Sequence, residues 1–197
     1  HPMSIERLNT AAQQARQRYA SSAKAPLQRE RFMDSTASLR RIKPTITACQ
    51  NGETAMAAQS YSQAQTAFAT ALKLTPRDYA AHFRMAQCLQ AQKKTQEARQ
   101  YAQQAQAIYP QEAQAHKLSG VLALSLRDPG AAFEGLDRFD RQLPGDPGVL
   151  FLKGVSLEGM GQRQQAAQHY AQYLRLSQQG QAAQFAASRL QAWGMLR

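Results

Sequence analysis

The chain has 197 residues and a net charge of +11, with hydrophobic residues at 43% and aromatic residues at only 8%. Long runs of Val, Ile and Thr are absent, which argues against a β-sheet, and no stretch approaches the roughly 18 consecutive apolar residues of a membrane span. Two cysteines, Cys49 and Cys88, are too few for a disulfide framework and lack metal-ligand spacing. The composition therefore predicts thin layers of closely packed helices.

The start of the chain is strongly basic, because residues 1–44 hold nine Lys or Arg against three Asp or Glu. Apolar stripes predict one helix over residues 4–20 and a second over 27–42, in which Phe32 and Leu39 face inward. We assign residues 1–44 to an N-terminal helical segment. Its basic residues are dispersed, so we expect no nucleic acid partner; an acidic protein or an anionic lipid surface fits this charge better.

Beyond this segment the sequence repeats, because Pro76, Pro110 and Pro144 stand 34 residues apart. Rows of that length starting at Thr45 align Gly52, Ala86, Gly120 and Gly154 in one column, Ala64, Ala98, Ala132 and Ala166 in a second, and Phe68, Ala102, Leu136 and Tyr170 in a third. Columns of small residues predict two closely crossing helices in each row, and the proline ends the second helix. The predicted array has rows 45–78, 79–112, 113–146 and 147–178, and residues 179–197 form a capping helix.

This period and its layout of small, aromatic and proline columns resemble the tetratricopeptide repeat. The resemblance implies an all-α fold, a right-handed tetratricopeptide superhelix (α-solenoid) of about four helix pairs with N-terminal helices and a C-terminal capping helix. Such arrays grow by adding rows and need a terminal helix to cover the last apolar face. We expect Asp78, Asp128 and Asp146 to be helix N-caps.

The opening residues His1 and Pro2, followed by Arg7 at the head of a helix, resemble the stretch after the catalytic domain of M48-type zinc metallopeptidases. The resemblance implies that the chain is the C-terminal region of a bacterial cell-envelope protease, periplasmic, with an upstream protease domain as partner and a role in protein quality control. Zinc would belong to that parent protein, and His1 could contact it only with the catalytic domain present. A chain that begins with His instead of Met is expected to be part of something longer.

Residue patterns for catalysis are absent from the chain, which contains no GxSxG, P-loop, GxGxxG or HExxH motif. We therefore predict that it is non-catalytic by itself and takes no cofactor or metal. Glu134, Asp137 and Asp140 share one helix face, which we interpret as an ordinary solvated surface. His82 and His116 occupy one column, where aromatic packing with a hydrogen bond at the ring edge is favoured over a metal site.

The concave side of such an array, lined by the first helix of each row, is the predicted site for a bound polypeptide. Cys49, Glu53 and Glu158 are predicted to face it, together with nine residues predicted to contact the polypeptide: Met56, Phe83, Gln87, Gln90, Lys117, Val121, Leu124, Phe151 and Val155. A clamp for a C-terminal carboxylate is not expected, because only Lys117 matches that mode. The first hypothesis is thus a protein-binding module of a protease, and the alternative is an autonomous scaffold or regulatory protein, cytoplasmic and with no protease attached.

Overall fold

The computed structural model describes residues 4–22 and 29–195, and these contain helices and no strand. His1 and Pro2, and the first two residues of the predicted helix 27–42, lie outside the described residues. The chain divides into two compact units, His1–Arg41 and Ile42–Arg197. None of the described helices is long and apolar enough to cross a membrane.

The first unit holds helix α1 (Ser4–Arg18), a short 3-10 turn (Ala20–Ser22), helix α2 (Arg29–Ser35) and the start of helix α3 (Ala37–Ala57). Five of its large apolar side chains are 62–65% exposed, namely Ile5, Leu8, Tyr19, Phe32 and Leu39, and Met33 is 38% exposed. The inward orientation predicted for Phe32 and Leu39 is therefore wrong.

Helix α3 continues through Pro44, so the predicted end of a helix at residue 42 is also wrong. A proline removes the hydrogen bond to the carbonyl four residues earlier, which here is that of Arg40. Residues 38–44 are exposed, so water can bond that carbonyl and the helix is not forced to break. The first repeat helix is thus longer than its equivalents in the later rows.

The second unit is built from helix pairs stacked in chain order. After α3 the helices are α4 (Tyr61–Leu74), α5 (Tyr79–Ala91), α6 (Thr95–Ile108), α7 (Ala113–Ser125), α8 (Pro129–Gln142), α9 (Pro147–Gly159), α10 (Arg163–Leu176) and α11 (Gln181–Ala192). From α4 onward each helix packs against the next, and the first helices of rows two, three and four also contact one another in turn. The predicted all-α solenoid is confirmed.

Within each row, the glycine or alanine of the first column lies against the third-column residue (Phe68, Ala102, Leu136 or Tyr170). This contact explains why small residues recur every 34 residues in the first column. A Cβ atom added to Gly52 would stand 2.4 Å from the Phe68 ring, and one added to Gly154 would stand 2.6 Å from the Tyr170 ring. Where the small residue is Ala86, the facing residue in its row is also an alanine, Ala102. A large side chain is therefore paired with glycine, which keeps the helix spacing similar along the array.

Aspartate caps close the turns before rows two and four and the turn within row three, as predicted. Asp78 accepts a hydrogen bond from the backbone N–H of Ala81 at 2.8 Å, and Asp128 accepts one from Ala131 at 3.1 Å. Asp146 accepts one from Val149 at 3.2 Å. These caps fix where α5, α8 and α9 begin, and therefore where their side chains stand.

Candidate polypeptide-binding groove

The nine residues predicted to contact the polypeptide lie on the first helix of their row, and all nine are half-buried. α3 carries Met56, α5 carries Phe83, Gln87 and Gln90, α7 carries Lys117, Val121 and Leu124, and α9 carries Phe151 and Val155. Because α5 contacts α7 and α7 contacts α9, these residues form neighbouring strips. We call this set the groove residues.

Between rows one and two the groove residues Met56 and Gln87 line a shallow cleft of about 230 Å³. Glu53 and Arg84 complete its walls, and the Phe68 ring forms part of its lining. Arg84 Nε lies 2.8 Å from Glu53 Oε1, and Arg84 also donates to the Gln87 side-chain oxygen at 3.0 Å. The cleft therefore combines apolar surface from Met56 and Phe68 with a polar wall whose opposite charges are already paired.

Phe83 does not line this cleft but packs within the aromatic residues at the start of α5. Its ring stacks on Tyr79 at 5.9 Å between centroids, and Tyr79 meets Tyr109 edge-on at 5.9 Å. Burial raises the pKa of the Tyr79 hydroxyl to about 12. Phe83 is thus held in place by its contact with Tyr79, but its side chain is only half-buried and remains partly accessible to a ligand.

Lys117, on α7, forms an ion pair with Asp146, the cap of α9. Its Nζ also lies 5.1 Å from the centroid of the Phe139 ring. Burial alone would raise the pKa of Asp146, but hydrogen bonds from Lys117 and the Val149 backbone hold it below its usual value. The ammonium group is thus engaged within the chain, which disfavours its use as a clamp for a ligand carboxylate.

The middle of the groove is aliphatic. Leu124 packs against the buried cluster that includes Phe139 and Val149. Val155 packs against the cluster around Leu157 on the same helix. These side chains offer apolar surface without a hydrogen-bonding group.

Phe151 lies in an aromatic cluster at the far end of the groove. Its ring centroid is 5.3 Å from that of Tyr173 and 5.9 Å from those of Tyr170 and Phe185. Phe185 belongs to α11 and is 43% exposed. The 34-residue spacing from Phe151 to Phe185 is the signal that would have added it to the groove residues.

Glu158, on α9, ties α11 to the last row. It accepts a hydrogen bond from the Tyr170 hydroxyl at 2.8 Å and forms an ion pair with Arg189. The guanidinium of Arg189 lies 5.2 Å from the centroid of the Trp193 ring. These contacts hold the capping helix in the place where the first helix of a fifth row would lie.

Of the three acidic residues predicted to share a solvated helix face, Glu134 is exposed as the sequence indicated, but Asp137 and Asp140 pair with a buried lysine. Lys153, whose side chain is only 7% exposed, lies 2.9 Å from a carboxylate oxygen of each. Burial by itself would lower the pKa of Lys153, but the two hydrogen bonds keep it above its ordinary value. The cluster joins row three to row four, and its three charged groups satisfy one another instead of facing a substrate.

The two histidines of one column have a structural role. His82 Nε2 lies 2.9 Å from the Pro76 carbonyl oxygen, and His116 Nε2 lies 2.9 Å from that of Pro110. The predicted ring-edge hydrogen bond is therefore confirmed. Within residues 4–22 and 29–195, no group of three or more His, Cys, Asp or Glu could hold a metal ion, and His1 lies outside these ranges.

Comparison with known proteins agrees with this architecture. Tetratricopeptide repeat models match residues 49–113 and 149–177. A search among curated protein sequences finds no match. These results give no link to the M48 metallopeptidases, and they indicate no catalytic family.

Solved structures with the same fold include the protein MamA, at 15% identity and a TM-score of 0.71, covering 78% of this chain and 84% of that one. YrrB, described as a tetratricopeptide protein with an unusual peptide-binding site, has 15% identity and a TM-score of 0.70, covering 83% and 84%. A thermophilic tetratricopeptide protein from Thermus thermophilus has 19% identity and a TM-score of 0.58, covering 77% and 84%. The chain contains tetratricopeptide repeats and has the fold of the tetratricopeptide solenoids.

Proposed function

We propose that the groove residues bind a segment of polypeptide chain. The observation that carries this proposal is their position: half-buried apolar and amide side chains on first helices that contact one another in turn. A trough built on packed helices is preformed, so a ligand does not have to order it on binding. That YrrB, with the same fold, is described as having a peptide-binding site supports the same class of function.

The affinity should be about micromolar, because the trough is broad and shallow. The cleft between rows one and two measures only about 230 Å³, and the charged side chains in its wall, Glu53 and Arg84, are paired with each other. Apolar and aromatic side chains would therefore supply most of the binding energy. Catalysis is not part of the proposal.

Site-specific photo-crosslinking tests this groove. A benzoylphenylalanine at Val121, in the aliphatic middle, should form a crosslink to an unfolded reporter such as reduced and carboxymethylated α-lactalbumin. The matched control is the same residue at Gln103, an exposed position on α6, the second helix of row two. Crosslinking at Gln103 and not at Val121 would refute the groove as the binding surface.

We further propose that this module belongs to an M48-type zinc metallopeptidase of the bacterial cell envelope. His1, Pro2 and Arg7 support it through their resemblance to the stretch after such a catalytic domain. The module would act in the periplasm, presenting unfolded or misassembled protein to the upstream protease. Zinc would be held by the catalytic domain, since the described residues offer no cluster that fits a metal ion.

The coding sequence upstream of His1 tests the protease context separately. We expect it to encode a signal peptide and an HExxH motif within on the order of 200 residues. A sequence without HExxH there would overturn the protease context. The polypeptide-binding proposal would then stand alone, as an autonomous scaffold that could be cytoplasmic.

A further inference from the structure

The groove continues beyond row four onto the capping helix. Phe185 and Arg189 follow Phe151 and Val155 by one period of 34 residues. The Phe151 and Phe185 rings meet edge-on, with centroids 5.9 Å apart and an interplanar angle of 82°. Helix α11 therefore continues the groove by one further helix, with Phe185 and Arg189 at the positions equivalent to Phe151 and Val155.

This end of the groove presents aromatic surface on a rigid base. Tyr170 is fully buried below the two phenylalanines, and Trp193 stacks on it at 6.1 Å between centroids. Phe185 is nevertheless 43% exposed, and Phe151 is half-buried. We call the accessible faces of Phe151 and Phe185 the aromatic end. Fixed aromatic side chains of this kind carry a large share of binding energy at interfaces.

The charged side chains along the groove are neutralised by partners within the chain. Glu53 pairs with Arg84 at 2.8 Å at the first end. Lys117 pairs with Asp146 in the middle. At the aromatic end Glu158 pairs with Arg189, and the same carboxylate accepts a hydrogen bond from the Tyr170 hydroxyl. A charged ligand group would have to be desolvated and would meet charges that are already compensated.

We infer that the occupant of the groove is an uncharged, extended polypeptide segment whose large apolar side chain binds at the aromatic end, against Phe151 and Phe185. This inference rests on the proposed function and names its ligand class. Neutral charge along the groove matches an uncharged ligand, and the accessible aromatic surface matches a phenylalanine-sized side chain. Gln87 and Gln90 supply amide groups that suit the polar backbone of an extended chain.

Fluorescence anisotropy with designed peptides tests the ligand class. The main probe is a labelled peptide of about 12 residues, made of Gly, Ser and Thr with two phenylalanines. Its matched versions replace both phenylalanines by alanine, or two serines by aspartate or by lysine. We expect the phenylalanine probe to bind about tenfold more tightly than the alanine version. The aspartate and lysine versions should bind no more tightly than the phenylalanine probe. Its affinity should change less than about twofold between about 50 and about 300 mM NaCl.

A protein variant locates the binding. Phe185→Ala should weaken the phenylalanine probe about tenfold, whereas Leu143→Ala, which removes an apolar side chain of similar exposure (51%), should leave the affinity unchanged. Circular dichroism and the unfolding midpoint establish that both variants fold. An unchanged affinity for Phe185→Ala, or tighter binding of the aspartate or lysine probe with a steep salt dependence, would overturn the inference.

Failure of this inference can be distinguished from failure of the proposed function. If the unfolded reporter crosslinks at Val121 while the phenylalanine probe does not bind, the groove binds polypeptide of another chemistry and only the inference falls. If neither binds, both fall. A dimer in light scattering that excludes the probe, and that Phe185→Ala converts to a monomer, would show a second copy of the chain as occupant and also overturn the inference.

Discussion

Replacing Gly154 by alanine should destabilise the last row, although the same change usually stabilises a helix. The added Cβ atom would lie 2.6 Å from Tyr170 Cε1 and 2.7 Å from Cδ1. Ordinary van der Waals contact between carbon atoms begins near 3.5 Å, so the overlap is about 1 Å. Either the ring or the helix must move.

The Tyr170 ring has little freedom to move. It is fully buried, its hydroxyl donates to Glu158 at 2.8 Å, and it stands 6.1 Å from both Phe185 and Trp193 between ring centroids. Overpacking of such a site costs about 1–3 kcal/mol, and exchanging glycine for alanine in a helix returns up to about 1 kcal/mol. We expect Gly154→Ala to lower the free energy of unfolding by about 1–2 kcal/mol.

Urea unfolding followed by circular dichroism measures this cost, with two comparisons. Gly130→Ala is the matched control, because a Cβ atom there would meet nothing within 4 Å, and its effect should be neutral or slightly stabilising. In a Tyr170→Ala background the row acquires the alanine–alanine pairing of Ala86 and Ala102, so Gly154→Ala should no longer cost stability. A cost that persists unchanged in that background would refute the steric argument.

Two further changes test the polar contacts between rows. Lys153→Met should lower the free energy of unfolding at neutral pH by about 2–4 kcal/mol, because it removes the ammonium group that two partly buried carboxylates share. Asp137 keeps a second cation, Arg141, at 2.6 Å, whereas Asp140 loses its ion pair. Hydrogen bonding from Lys153 holds the pKa of Asp137 below its ordinary value of 3.8, so the stabilisation is present above that value and is lost as the pH falls through the lowered pKa. The deficit of the variant in urea should therefore shrink from pH 7 to pH 3, and a constant deficit would contradict this. His82→Phe keeps the ring packing but removes the hydrogen bond to Pro76, which should cost about 1 kcal/mol; an unchanged urea midpoint would show that the bond contributes nothing.

The helix pairs could be read from the sequence because their signals are local and repeated. Small residues at one spacing, prolines 34 residues apart and aspartates such as Asp78 and Asp146 at the turns each act within a few residues of their own position. The structure confirms the caps and the pairing of small with large columns. The periodic pattern also placed the groove residues on the first helices, because side chains of one register position share a face.

Predictions from residues close in sequence failed where the outcome depends on solvent exposure or on a contact with another helix. The predicted helix end at residue 42 stands just before Pro44, but the helix passes through this proline because the affected carbonyl is in an exposed stretch. Asp137 and Asp140 looked solvated because their partner, Lys153, lies in the next row. Charge pairing across helices depends on their crossing, which no spacing within one helix determines.

The groove shows the same division between sequence and tertiary structure. Its repeat register, and so the choice of residues such as Val121 and Phe151, followed from the 34-residue period alone. Only the packed structure shows that Lys117 is engaged by Asp146 and that Phe185 lies against Phe151 on the capping helix. The period determines which side chains share a face, but the approach of neighbouring helices decides which of them remain available to a ligand.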